Sequence, residues 1–208
     1  MNREIRILIA DDHAIVRTGL AALLNTEPGV RVVGEAKNGA EAIREALRYA
    51  PDIVIMDLMM PQKDGAEATA AIRQKLPQTR VLILTTYGSS DDIAHALKSG
   101  AAGVIMKTAP NEKLIAALRK IAAGEAYIAP EVKRQMILDP PTPQLSPRQA
   151  EVLQSLQRGL TNRDIALQLS ISVDRVEQIV KTLLTKLDAA NRTEAVAIAL
   201  RKHLLKMS

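Results

Sequence analysis

Asp11-Asp12, Asp57, Thr85 and Lys107 carry the carboxylates, hydroxyl and ammonium from which a reactive site could be built. Each follows a short apolar run: residues 5–10, 53–56, 81–84 and 104–106. Three carboxylates brought together repel one another unless a cation joins them, and ligands that are all oxygen favour Mg²⁺ over Zn²⁺. A lysine and a threonine beside such a cluster suit a phosphoryl group. The chemistry indicated is an aspartate that becomes phosphorylated.

The surrounding elements must bring these residues to one place. Apolar runs of strand length alternate five times with helical patterns through residues 1–124. Strands separated by helices are parallel, and their carboxyl ends share one edge of the sheet, where ligands sit in open α/β folds. The expected strands are 5–10, 30–34, 53–57, 80–85 and 103–106. The expected helices are 14–25, 40–49, 65–75, 91–99 and one from Pro110 to Gly124. The fold class expected is α/β, a five-stranded doubly wound parallel sheet of flavodoxin-like type, with a small all-α domain after it. Residues 125–144 hold Pro130, Pro140, Pro141 and Pro143 and read as a linker, with room for a short helix at 131–138.

Residues 145–208 are helical in pattern throughout. Ser146-Pro-Arg-Gln149 is a capping box with proline at the first helical position. Thr161 to Asp164, Ser172, and Asn191 to Glu194 open three further helices, and Ser170-Ile-Ser172 is a tight turn between two of them. Two short helices joined by such a turn form a helix-turn-helix.

Composition bounds the alternatives. The 208 residues lack Cys, Phe and Trp, so disulfides and thiolate metal sites are excluded and the core is aliphatic. His13, His95 and His203 are too scattered for a His-ligated metal. No apolar run reaches the roughly 18–20 residues that span a membrane, and the first ten residues read as a strand rather than a leader. A soluble cytoplasmic protein without a membrane partner is expected. The net charge of +5 is uneven: residues 1–125 carry 16 Lys/Arg against 15 Asp/Glu, and residues 144–208 carry 10 against 6. A basic excess in the last third points to a polyanion.

Several motifs together resemble a known family. Asp11-Asp12-His13, Met56-Asp57-Leu-Met-Met-Pro61 with Asp64-Gly65, Leu82-Ile-Leu-Thr85 and Gly103-Val-Ile-Met-Lys107 resemble a response-regulator receiver domain. Leu145-Ser-Pro-Arg-Gln-Ala-Glu151 and Gly159-Leu-Thr-Asn-Arg-Asp-Ile-Ala166 resemble the LuxR-type helix-turn-helix. Nearly the whole chain resembles the two-domain NarL/FixJ response regulators. The resemblance implies a receiver at 1–124, a linker at 125–144 and a DNA-binding domain at 145–208. It implies that Asp57 takes a phosphoryl group from a sensor histidine kinase. Asp11, Asp12, Asp57 and the Met59 carbonyl would hold Mg²⁺, and Lys107 and Thr85 would bind the phosphoryl group. A homodimer on promoter DNA, with RNA polymerase as a further contact, would be the output. The protein would be a transcription factor and not an enzyme; a phosphatase of the haloacid-dehalogenase type would want Asp-x-Asp in one loop, where this chain has Asp11-Asp12.

Two departures from the family pattern stand out. Val104 occupies a position where receivers commonly carry Tyr or Phe, whose ring follows the threonine when the switch operates. In the third helix of the second domain, Val176, Val180, Leu183, Leu184 and Leu187 form an apolar face. The opposite face, which would enter the major groove, carries Asp174, Gln178, Lys181 and Thr185, flanked by Arg175 and Glu177. The family lysine and histidine of this helix are here Glu177 and Ile179. Glu177 lies four residues before Lys181 and is placed to pair with it. One reading has Glu177 accept from a cytosine amino group, with Gln178 on adenine and Lys181 on guanine or phosphate. The other has the domain bind a protein partner instead. Arg148, Arg163, Arg175, Lys186 and Arg192 are candidate phosphate contacts.

Overall fold

The computed structural model describes residues 4–86, 88–202 and 204–205. His203 and the first three residues lie outside them. The chain divides between Pro141 and Thr142 into two units.

The first unit alternates strand and helix in the order β1 (Ile5–Ala10), α1 (Ala14–Asn25), β2 (Val30–Ala36), α2 (Gly39–Tyr49), β3 (Ile53–Asp57), α3 (Gly65–Lys75), β4 (Arg80–Thr85), α4 (Ser90–Lys98), β5 (Gly103–Met106), α5 (Asn111–Ala122), β6 (Tyr127–Ile128) and α6 (Pro130–Leu138). All strand pairs are parallel, in the order β2-β1-β3-β4-β5-β6. A parallel sheet is covered on both faces, so its central strands are apolar without alternation. The five residues of β3, Ile-Val-Ile-Met-Asp, are all buried accordingly. Local signals fix the helix starts. The Asn38 side chain accepts from the Glu41 amide, Asp64 accepts from that of Glu67, and Ser89 with Asp92 makes a capping box.

The sheet has six strands where five were expected. Tyr127 and Ile128 pair with Gly103 and Val104. Two residues between Gly124 and Pro130 are too short to show a period, so nothing local marks them as a strand. The α6 helix is likewise part of the first unit, with Ala129 and Val132 buried in its core. The strand β2 runs to Ala36, past Gly34, because the glycine leaves room for a ring: a Cβ there would lie 2.8 Å from Tyr49 Cε2.

Among the described residues the second unit has four helices: α7 (Pro147–Gln157), α8 (Asn162–Leu169), α9 (Val173–Leu187) and α10 (Arg192–Arg201). Ser146 and Thr161 both form capping boxes, and Ser172 and Asn191 cap α9 and α10. Ser170 ends α8 in the left-handed region (φ 53°), which turns the chain into α9. The core joins Val152, Leu153, Leu156, Ile165, Val176, Leu183, Leu187, Ala195 and Ala199.

Candidate functional site

In the parallel sheet, α1 leads β1 to β2 on one side, while β1 pairs with β3 on the other. This reversal is the crevice at which doubly wound sheets bind ligands. Asp11 extends from β1 and Asp57 ends β3, so both carboxylates stand at that crevice. Lys107, just after β5, spans the pair: its Nζ lies 2.6 Å from Asp11 Oδ2 and 2.8 Å from Asp57 Oδ2. The Lys107 amide donates to the Thr85 carbonyl at 2.7 Å, tying the ends of β5 and β4 together. Thr85 is buried and in register with Met106. The sequence-predicted residues of this site are thus brought together by four strand ends.

Asp57 is 4% exposed. Burial pushes its carboxyl above the ordinary carboxylate range; Lys107 opposes this, the Asp11 charge adds to it, and the Met59 amide, donating to the carboxylate, also opposes it. Burial alone would lower the Lys107 ammonium, but its bonds and charge contacts with Asp11 and Asp57 raise it. The pair therefore favours the lysine cation more than it restores Asp57, the more deeply buried partner.

Asp12 is exposed, and His13, set aside in the sequence as a ligand, lies in the same cluster. His13 Nδ1 is 2.8 Å from Asp12 Oδ1 and 3.3 Å from Asp11 Oδ1, and its amide donates to Asp11 Oδ1 at 2.8 Å. One ligand atom from each of Asp11, Asp12, His13 and Asp57 falls within 4.8 Å of the others. Its adjacency to the acidic pair was the signal. Three carboxylates face a single lysine, so the donor set and its charge fit a divalent cation. Met59 is 61% exposed at the rim.

Gly65 sets the height of α3 above this site. A Cβ there would lie 2.2 Å from the Asp57 carbonyl oxygen, so only glycine permits the close approach of α3 to β3.

In the second unit Arg175, Glu177, Gln178, Lys181, Thr185 and Lys186 on α9 are exposed, as is Arg163 on α8. Arg175 Nη1 donates to Gln178 Oε1 at 3.1 Å, and Thr185 Oγ1 to the Lys181 carbonyl at 3.1 Å. Three of the cations considered for phosphate also brace the unit: Arg148 donates to the Leu169 carbonyl, Lys186 to the Gln144 carbonyl and to Gln149, and Arg192 to the Leu160 carbonyl. Two expectations are corrected. Ile179 is 7% exposed and belongs to the core beside Val176 and Leu183, while Val180 and Leu184 are only partly buried. The isoleucine thus serves packing and is absent from the outward face. Among the described residues no ion pair joins Glu177 to Lys181, so the Glu177 carboxylate is left to solvent.

Among the described residues, no helix is long and apolar enough to cross a membrane. A doubly wound sheet with an acid-lysine crevice, followed by a capped helix-turn-helix, defines a two-domain signalling protein. Residues 7–119 match the response regulator receiver domain, and residues 143–199 match the bacterial regulatory proteins of the luxR family. The chain belongs to the response regulators that carry a LuxR-type DNA-binding domain. It is 38% identical to the oxygen regulatory protein NreC of Staphylococcus haemolyticus, over 96% of this chain and 99% of that one. The NreC protein of Staphylococcus carnosus is 37% identical over 96% of this chain and 99% of its own. Among solved structures, the response regulator ChrA of a heme-sensing two-component system is 35% identical, with a TM-score of 0.57, over 97% of this chain and 99% of that one. The RcsB–DNA complex gives 25% identity and a TM-score of 0.65, over 96% of this chain and 99% of that one.

Proposed function

We propose that Asp57 accepts a phosphoryl group from the phosphohistidine of a sensor histidine kinase and that this controls the binding of α9 to promoter DNA. The observation that carries the reading is the Asp57 carboxylate at the sheet's crevice, with Lys107 Nζ at 2.8 Å and Asp11 beyond it. An Asp57 oxygen attacks phosphorus, the P–N bond breaks, the imidazole leaves and an acyl phosphate forms. Lys107 exchanges its carboxylate partner for a phosphoryl oxygen, a change that keeps a charge-assisted bond throughout. The Thr85 hydroxyl donates to another phosphoryl oxygen. Asp11, Asp12 and Asp57, with the Met59 carbonyl, would hold Mg²⁺. When bound, that ion neutralises charge on the transferring group.

The basic excess and the exposed face of α9 support a nucleic-acid partner. Arg175, Glu177, Gln178, Lys181 and Thr185 face the major groove, while Lys186 and Arg163 reach phosphates. Glu177 selects cytosine by accepting from its amino group. A homodimer places two such helices on two half-sites, in the cytoplasm where promoter DNA and RNA polymerase are met. The receiver comprises residues 1–124 with β6 and α6 as its extension, and residues 145–208 form the DNA-binding domain.

The test is incubation of the chain with acetyl phosphate and Mg²⁺, followed by intact-mass and peptide analysis. A gain of one phosphoryl group on the peptide carrying Asp57, absent in Asp57→Asn and without Mg²⁺, supports the reading. No gain, or a gain on another residue, overturns it.

A further inference from the structure

The α6 helix touches the phosphoryl site's own machinery. Gln135 Nε2 donates to the Gly88 carbonyl at 2.7 Å. Gly88 lies three residues after Thr85 in sequence, close to the side chains of Leu58, the residue after Asp57, and Ile93. A Cβ on Gly88 would stand 3.0 Å from Leu58 Cδ2 and 3.4 Å from Ile93 Cγ1. Gln135 also shares one cavity with Met59, Gly88, Ser89, Asp92 and Met106. Paired residues of parallel strands point to the same sheet face, so Met106 and its register partner Thr85 share a face. Val104 lies on that face two residues earlier, wholly buried and in register with Ile83 and Ile128. A short branched side chain clamped in this way has no swing with which to report on Thr85. Gln135 is the polar side chain on α6 that does reach the Thr85 segment. On α6 Val132 is buried and Met136 packs against the core, while Ile137 and Leu138 at its end are 77% and 75% exposed.

We propose that α6 is a latch on the phosphoryl site and that Gln135 is its positioning residue, holding Gly88 only while Asp57 is unmodified. This rests on Asp57 being the phosphoryl acceptor. A phosphoryl group on Asp57 draws the Thr85 hydroxyl toward it. Gly88 follows, its carbonyl leaves Gln135, and α6 loses that tie. The last turn of α6 runs directly into Pro140, Pro141 and Pro143. Coupling of this kind is reciprocal: releasing the latch first must favour the phosphorylated state.

Amide hydrogen exchange on the full-length protein tests this, with and without acetyl phosphate and Mg²⁺, in the wild type, Gln135→Ala and Gln135→Glu. Phosphorylation is expected to speed exchange of the 130–138 peptide roughly fivefold, the effect of losing one neutral hydrogen bond. Gln135→Ala should show that acceleration before phosphorylation and gain little from it. At a limiting acetyl phosphate concentration it should also reach a several-fold higher ratio of phosphorylated to unmodified protein at equilibrium. Gln135→Glu keeps the size but cannot donate to a carbonyl, so it should match alanine. A purely structural role would make the two accelerations add. Additive effects, a 130–138 peptide indifferent to phosphorylation, or a glutamate variant like the wild type overturns the latch. Should Asp57 gain a phosphoryl group while α6 stays unmoved, the latch alone falls; should Asp57 gain none, both readings fall.

Discussion

Lys107 holds two carboxylates that would otherwise face each other across the crevice. Removing it leaves Asp11 and Asp57 buried without their cation. Lys107→Ala is expected to cost about 1.5–3 kcal/mol at neutral pH, the scale of a buried hydrogen bond to a charged group. The loss should shrink at acid pH, where the Asp57 carboxyl, already raised by burial, takes up a proton. Urea titrations at both pH values check this; an equal loss at each would contradict it. Asp57 itself carries the opposite sign. Its folded-state carboxyl lies above the ordinary range, chiefly through burial. Such a group leaves stability whole below its unfolded pKa of about 3.9 and erodes it as pH rises through the higher folded value. Asp57→Asn should therefore raise the neutral-pH melting temperature by about 2–4 °C, with the gain vanishing at acid pH. Calorimetry without metal checks it. At this scale the sequence was very informative: Asp11, Asp12, Asp57, Thr85 and Lys107 were legible because each stands at the end of a short apolar run. The place of His13 in the cluster and the bond from Gln135 to Gly88 were not, since both depend on neighbours supplied by the fold.

At the scale of elements, α3 can stand over β3 only because Gly65 has no side chain. The Gly65→Ala methyl would meet the Asp57 carbonyl oxygen, a backbone atom that cannot step aside. Overpacking of this kind costs about 1–3 kcal/mol, read as a lower urea midpoint, and tilting α3 off β3 should slow phosphoryl acceptance as well. In the second unit, Ile179→Ala should destabilise by about 2–5 kcal/mol, the usual cost of emptying a core aliphatic site; a surface residue would cost almost nothing. The capped helices and long strands were readable because caps and periods are local. The boundary of α9's buried face was not, because both Ile179 and Val180 fit an apolar stripe and only the packing of neighbouring helices chooses between them. The two-residue β6 escaped for want of any period.

At the scale of the whole molecule, the charge imbalance between the two ends of the chain and the composition of α9 set how it meets a polyanion. Glu177→Lys adds a cation where a carboxylate faces solvent. It should tighten binding to duplexes of any sequence, steepen the salt dependence by about one phosphate contact, and erase preference at one base position. Fluorescence anisotropy across a salt series measures all three; unchanged slope and unchanged preference would mean that Glu177 does not face DNA. The order of domains was legible from motifs and the proline-rich segment, whereas the joining of β6 and α6 to the first unit follows from long-range contacts that no local pattern records.

In the proposed function, phosphorylation of Asp57 controls DNA reading. The most direct measurement selects ligands from a random duplex pool at two salt concentrations, with and without acetyl phosphate and Mg²⁺, for the wild type and Asp57→Asn. Salt-sensitive, sequence-selective retention is expected to rise on phosphorylation in the wild type and to stay at the basal level in Asp57→Asn. Retention that rises equally in both, or no selective retention by either in any condition, would contradict it.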